Sequence, residues 1–369
     1  MSTLTTTVAE HDVIICAGSG GVGKTTTAAA LALAGAREGR RVVVVTIDPA
    51  RRLADAFGLG ATGLDNTPRH IPGPWEGELW AAMLDTSATF DGLVTRYAGD
   101  DQAARILANP FYRNMADALS GTQEYMAAEK LHELAADERF DLVVVDTPPT
   151  RNALDFIDAP TTLTRFLDHR LYRMLMAPTR RMTRAVGLAT SAFVRTMSRV
   201  VGTAVVEDAI EFFQAFEGLE QGFRDRAHEV AERFRSPATA FVLITSPRPD
   251  ALEEARWFAA RLRDDDIAIK GIVVNRVQPR PATADTDRFR SIAHQHPGTT
   301  LAARCDTLVD QCETADAERQ RLQGLLGALG DVDVVLVPML GGDVRDLDGL
   351  TQIADALVPV GPAGPTETV

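Results

Sequence analysis

Residues 18–25 read Gly18-Ser19-Gly20-Gly21-Val22-Gly23-Lys24-Thr25 and fit the pattern G-x-x-x-x-G-K-[ST] at every fixed position. The flanks agree with it. Asp12–Ala17 carries a short apolar run (Val13, Ile14, Ile15, Cys16), the pattern of a strand buried on both faces. Thr26–Glu38 is rich in Ala and Leu, and Gly39 stands where a helix would stop. Arg41–Thr46, with four consecutive valines, supplies the next strand of a βαβ unit. A glycine-rich turn between strand and helix presents backbone N–H groups at the positive end of the helix dipole, which makes a cradle for phosphate. The expectation is an ATP site in which residues 18–26 wrap the polyphosphate. Lys24 reaches the β- and γ-phosphates, and the hydroxyl of Thr25, followed by Thr26, ligates Mg²⁺.

Further apolar runs recur at Leu79–Leu84, Leu142–Val145, Ala240–Ile244, Ile272–Val274 and Val332–Val337, with helical stretches between most of them. That alternation predicts an α/β fold with a doubly wound, mainly parallel sheet. Thr86–Leu131 and Pro160–Ser236 are too long for simple crossovers and helical in composition, so a helical subdomain is expected from residues 86–131 and 160–236. Residues 1–10 read as a loose leader and 11–357 as one ATPase domain. Residues 358–369, with three prolines and two glycines, read as a disordered tail.

The composition narrows the partners. A formal net charge of −13 argues against sequence-independent binding of nucleic acid or anionic membrane. Cys16, Cys305 and Cys312 are too few and scattered for a disulfide framework and suit a reducing compartment. There is no cationic-then-apolar leader and no apolar run near the ~20 residues that span a bilayer, so a cytoplasmic protein is expected. One segment departs from the rest. Residues 169–206 contain no acid but seven arginines, interleaved with Met174, Met176, Met182, Met197 and other apolar residues. It reads either as helices packed on their own core or as an adaptable groove for an apolar client, such as a membrane-protein segment or a lipid chain.

Two aspartates close apolar strands. Asp146 ends Leu142–Asp146 and stands where this kind of fold places the second Mg²⁺-side carboxylate. Asp48, in Thr46-Ile47-Asp48-Pro49-Ala50, closes the second strand. It reads either as the group that orients the attacking water or as a cap for the next helix.

The segments Gly20–Thr26, Asp48-Pro49-Ala50 with Ala54–Phe57, and Asp146-Thr147-Pro148-Pro149-Thr150 resemble the arsenical-pump and tail-anchored-protein-targeting ATPases. This is the deviant-Walker-A branch of the P-loop proteins. The likeness continues through Gly121-Thr122-Gln123-Glu124, Val274-Asn275-Arg276 and Val337–Arg345, nearly the whole chain, and the expectation is a bacterial member. The resemblance implies a nucleotide-bridged dimer that opens and closes a helical module. It also implies Asp48 as the water-positioning group, Asp146 as the switch carboxylate, Asn275 as the reader of adenine, and Pro338, Met339 and Asp343 on the adenosine side. Two departures stand out. Ser19 occupies the place of the family's signature lysine, which implies a partner chain that keeps it, an arginine that substitutes for it, or a slow enzyme. Arg151-Asn152 replace a common Gly-His. The C-x-x-C that clamps zinc in some relatives is absent, so no structural zinc is expected.

Overall fold

Eight strands make one sheet in the order β3-β4-β2-β5-β1-β6-β7-β8. They are β1 (Val13–Gly18), β2 (Arg41–Thr46), β3 (Arg69–Ile71), β4 (Glu78–Met83), β5 (Leu142–Asp146), β6 (Thr239–Thr245), β7 (Ile269–Val277) and β8 (Asp333–Pro338). This computed structural model describes all residues except 1–3, 49, 51, 61–62, 114–121, 149, 169–202, 217, 282–284, 330–331 and 360–369. Each apolar run of the sequence lies in one of these strands, and the neighbouring pairs are parallel except β3 with β4. The antiparallel β3 was not expected. It is three residues long, and only Ile71 of the three is buried, so it carries no apolar run.

The chain leaves β1 toward β2 on one side of the sheet and β6 toward β7 on the other. Connections therefore diverge at the β1–β6 pair, the switch point beyond which such sheets bind ligands. Register aligns the strand ends there: Cys16 pairs with Asp146, Thr46 with Asp146, and Gly18 with Ile244. At Gly18 only glycine fits, because a Cβ would stand 2.0 Å from the Ile244 carbonyl oxygen.

Helix α1 (Thr5–Glu10) forms where a loose leader was expected. Leu4 and Val8 are spaced i, i+4, both are fully buried, and the Leu4 N–H donates to Leu357 O at 3.0 Å. Helix α2 (Lys24–Arg37) is buried continuously from Thr27 to Ala36. Its small side chains allow a close approach to the sheet, and at Gly35 a Cβ would lie 3.0 Å from Val42 and 3.1 Å from Leu142. Gly39, at φ +84°, turns the chain into β2.

Chain contacts define two units: residues 1–83, 137–153 and 237–369, which hold the sheet, and residues 84–136 and 154–236. The second unit is helical, with Thr86–Tyr97, Asp100–Ala108, Thr122–Ala135, Thr203–Ala215 and Glu220–Arg235 among its helices. Its core is aromatic: Phe90, Tyr112, Phe212, Phe216 and Phe223 stack or tilt against one another at 5.0–6.2 Å. A buried ion pair crosses it, with the Arg226 guanidinium donating to Glu129 at 2.7 and 2.9 Å. Of the basic, methionine-bearing segment 169–206, residues 169–202 lie outside the described residues, and 203–206 begin the helix Thr203–Ala215. Gly121 and the side chains of 150–153 also lie outside the described residues. Among the described residues no helix is long and apolar enough to cross a membrane.

Candidate active site

The loop after β1 closes onto α2 at Gly23, whose φ of +93° no β-carbon-bearing residue adopts without strain. Gly21, at φ +75°, makes the other left-handed turn of the loop. A cleft of about 810 Å³ opens above the loop, within the size range of small-molecule sites. Gly20, Gly21, Gly23, Lys24, Thr25 and Thr26 form its floor. Asp48, Arg52 and Asp55 contribute from the end of β2 and helix α3 (Arg52–Ala56), and Asn275 and Arg276 from β7. Pro338, Met339, Asp343 and Arg345 contribute from β8 and the loop after it.

Three sequence-derived site residues sit differently from those. Gly18 is the last residue of β1 and packs under Ile244. The Val22 side chain is in the core, 1% exposed. Ser19 is 7% exposed, and its hydroxyl finds no hydrogen-bond partner among the described residues.

Lys24 is also nearly buried, and its ammonium donates to Ser19 O at 2.9 Å. Burial draws its pKa down, opposed by the charges of Asp146 and Asp48. An ammonium so placed gains most from an incoming anion.

Asp146 lies beneath the cleft floor, 1% exposed. Its Oδ2 accepts the hydroxyls of Thr25 at 2.7 Å and Thr46 at 2.9 Å. Oδ1 is buried with no partner among the described residues. Burial pushes the carboxyl up to about 6, although both threonines and Lys24 act in the opposite direction. A carboxylate that is costly to ionise in place, with one orphaned oxygen and a threonine hydroxyl against the other, fits a hard, oxygen-seeking cation such as Mg²⁺. Beside it, the Thr147 hydroxyl donates to Cys16 O at 2.8 Å, tying the chain after β5 to β1.

Asp48 stands both at the cleft and at the turn into α3. It lines the cleft. Its Oδ1 accepts the Ala50 N–H at 2.9 Å and its Oδ2 accepts Arg52 at 3.2 Å, so it also closes the turn into α3. Its own N–H donates to the Thr46 hydroxyl at 3.2 Å, which links it through Thr46 to Asp146. Asn275 faces the loop: its Nδ2 donates to Val22 O at 2.9 Å, and a Cβ at Gly23 would strike that nitrogen at 2.2 Å. Met339, 51% exposed, offers an apolar surface at the rim.

Sequence reasoning gave no role to Thr46, Arg52, Arg276 or Arg345. Thr46 had a local signal, a hydroxyl ending an all-valine strand two residues before Asp48. Arg52 and Arg345 had one too, an aspartate four and two residues before them, whereas Arg276 had none, because its partner Gly21 is set by the fold. Cys305 and Cys312 are both buried on the helix Thr300–Leu329, seven residues apart on one face.

Comparison with known proteins points the same way. The family described as anion-transporting ATPase matches residues 11–296. The chain is similar to ATPase get3 of Schizosaccharomyces japonicus, at 27% identity over 350 residues covering 94% of this chain and 92% of that one. It is similar to ATPase GET3B of Arabidopsis thaliana, at 25% over 367 residues, 92% and 77% of the two chains. With ATPase ARSA2 of Chlamydomonas reinhardtii it shares 28% over 267 residues, 72% and 67% of the two.

Proposed function

The chain belongs to the anion-transporting ATPase family, and from that premise we propose that it is an ATP-hydrolysing dimeric switch. Its nucleotide state drives a helical module that handles an apolar or anionic cargo in targeting or transport. The observation that carries this reading is the meeting of Lys24, Thr25 and Asp48 in one cleft above the buried carboxylate of Asp146.

The loop N–H groups and Lys24 hold the β- and γ-phosphates of ATP. Thr25 and Asp146 are the residues that would hold Mg²⁺, which when bound neutralises charge on the phosphate oxygens. Asp48 releases Arg52 and orients the attacking water in line with the γ-phosphate. Asn275, Pro338, Met339 and Asp343 enclose the adenosine. Loss of the γ-phosphate relaxes the segment after Asp146, where the helix Thr150–Asp168 begins. The module comprises residues 86–131 and 160–236, a proposal supported by the separate helical unit of 84–136 and 154–236. The composition of 169–206 supports an apolar client. The protein works in the cytoplasm and reaches the membrane through a partner.

Ser19 shapes the assembly. We propose that the partner is a homologous chain that keeps a lysine at this position and completes the site. Such a transition-state cation is worth roughly 10³–10⁵ in rate. Ser19 also favours a second reading, an ATP-binding regulatory subunit with little hydrolysis of its own.

The test separates binding from chemistry. Asp48→Asn is expected to bind Mg-ATP as the parent does while losing hydrolysis by about 100-fold or more. Equal turnover in the two would contradict the role of Asp48.

A further inference from the structure

Two consecutive residues at the end of β7 grip the phosphate loop. Asn275 Nδ2 donates to Val22 O at 2.9 Å, and the Arg276 guanidinium donates to Gly21 O at 3.0 Å. In a regular strand successive side chains leave on opposite faces, so only one of the pair could reach the loop. Here the register with β8 shifts between Val274 and Val277, and Arg276 takes a left-handed backbone, φ 62°. A non-glycine residue holds that conformation only when its surroundings enforce it, and such residues gather at functional sites. The local twist turns both side chains onto one loop.

Each grip sets a peptide plane. In a trans peptide the carbonyl of one residue and the N–H of the next point in opposite directions. Holding the Gly21 carbonyl therefore fixes the Val22 N–H, and holding the Val22 carbonyl fixes the Gly23 N–H. Charge adds a second argument. Around the cleft, Arg52 pairs with Asp48 at 3.2 Å and Arg345 with Asp343 at 2.8 Å. Arg276 instead donates to a neutral carbonyl, so its positive charge is not cancelled by that partner.

We propose that Arg276 is a positioning residue of the ATP site. It orients the Gly21–Val22 peptide for the polyphosphate, and it supplies in cis a positive charge beside a loop in which Ser19 supplies none. The proposal rests on the ATP-site reading given above, and it assigns to Arg276 the affinity for nucleotide rather than the rate.

Calorimetric titration of the full chain with Mg-ATP, paired with steady-state hydrolysis and thermal melting without nucleotide, tests it. Arg276→Gly removes the guanidinium and the backbone strain together, so the protein should melt no lower than the parent. Its Kd and KM for Mg-ATP should rise about tenfold or more, as expected for loss of a charged hydrogen bond, with kcat within about threefold of the parent. Arg276→Lys should recover part of the affinity, and the difference between parent and Arg276→Gly should shrink as salt rises. Lys24→Ala serves as the control for the ATP site itself. If the parent binds, Lys24→Ala does not and Arg276→Gly matches the parent, the inference falls and the ATP site stands. If Arg276→Gly loses affinity and melting temperature together, Arg276 is only structural and the inference falls. A parent chain that binds no Mg-ATP overturns both readings.

Discussion

At the scale of single residues, the loop glycines differ sharply in what they require. A methyl group at Gly18 would stand 2.0 Å from a backbone oxygen of β6, whereas at Gly20 it would meet nothing within 4 Å. Gly18→Ala must therefore open the β1–β6 pairing, at a cost of about 3 kcal/mol or more, while Gly20→Ala should change stability by less than about 1 kcal/mol. Chemical denaturation of the two variants checks this, and equal losses would contradict it. Spacing in the sequence identified the loop but could not separate these two positions, since Ile244 lies far away in the chain. The same limit applies to the rest of the site. The convergence of Lys24, Thr25 and Asp48 on one cleft, with Asp146 bonded to Thr25, could be expected because each sits at a strand end or in a contiguous pattern. The Thr46–Asp146 and Arg276–Gly21 contacts join residues 100 and 255 positions apart, and no local signal encodes them.

At the scale of elements, the strands were legible because parallel strands buried on both faces need unbroken apolar runs, as Val42–Val45 and Val143–Val145 show. Strand β3 escaped because an exposed edge of three residues needs no such run. Helix α1 is a different case. Its signal, Leu4 and Val8 one turn apart, was present but lay within a threonine-rich stretch. Leu4 is fully buried, so Leu4→Ala should cost about 2–4 kcal/mol, and removal of residues 1–10 should lower the melting temperature further. A truncated chain that melts with the parent would contradict the packing of α1. In the helical unit, burial and the positive charges of Arg226, Arg233 and Arg96 push the His132 imidazole down to about 4, with only Glu229 acting the other way. The unfolded chain then takes up a proton near pH 6.5 that the folded one refuses until about pH 4. Stability is accordingly lost as pH falls through that window, by on the order of 1 kcal/mol after allowing for solvent screening. His132→Gln should flatten this part of the stability–pH curve, measured as the difference from the parent.

At the scale of the whole molecule, the proposed switch couples hydrolysis to assembly. Switching should be visible as a nucleotide-dependent change in protease sensitivity within residues 160–236. Identical cleavage patterns with ADP and with a non-hydrolysable ATP analogue would contradict a nucleotide-driven module. Two stretches too long to be crossovers gave the expectation of a helical module at residues 86–131 and 160–236, a proposal that the helical unit of 84–136 and 154–236 supports. The proposed cargo was not legible, because the most unusual stretch, residues 169–206 with seven arginines among methionines, is defined by composition and by no motif. The proposed assembly turns on one side chain, Ser19. The most direct measurement is steady-state Mg-ATP hydrolysis by the purified chain, with Ser19→Lys in parallel and Asp48→Asn as the blank. A slow parent that binds ATP is expected, with a Ser19→Lys variant at least about tenfold faster, since the added cation would serve a partner copy across the proposed dimer. A parent already as fast as Ser19→Lys would show that the chain completes its own site and would contradict the need for a lysine-bearing partner.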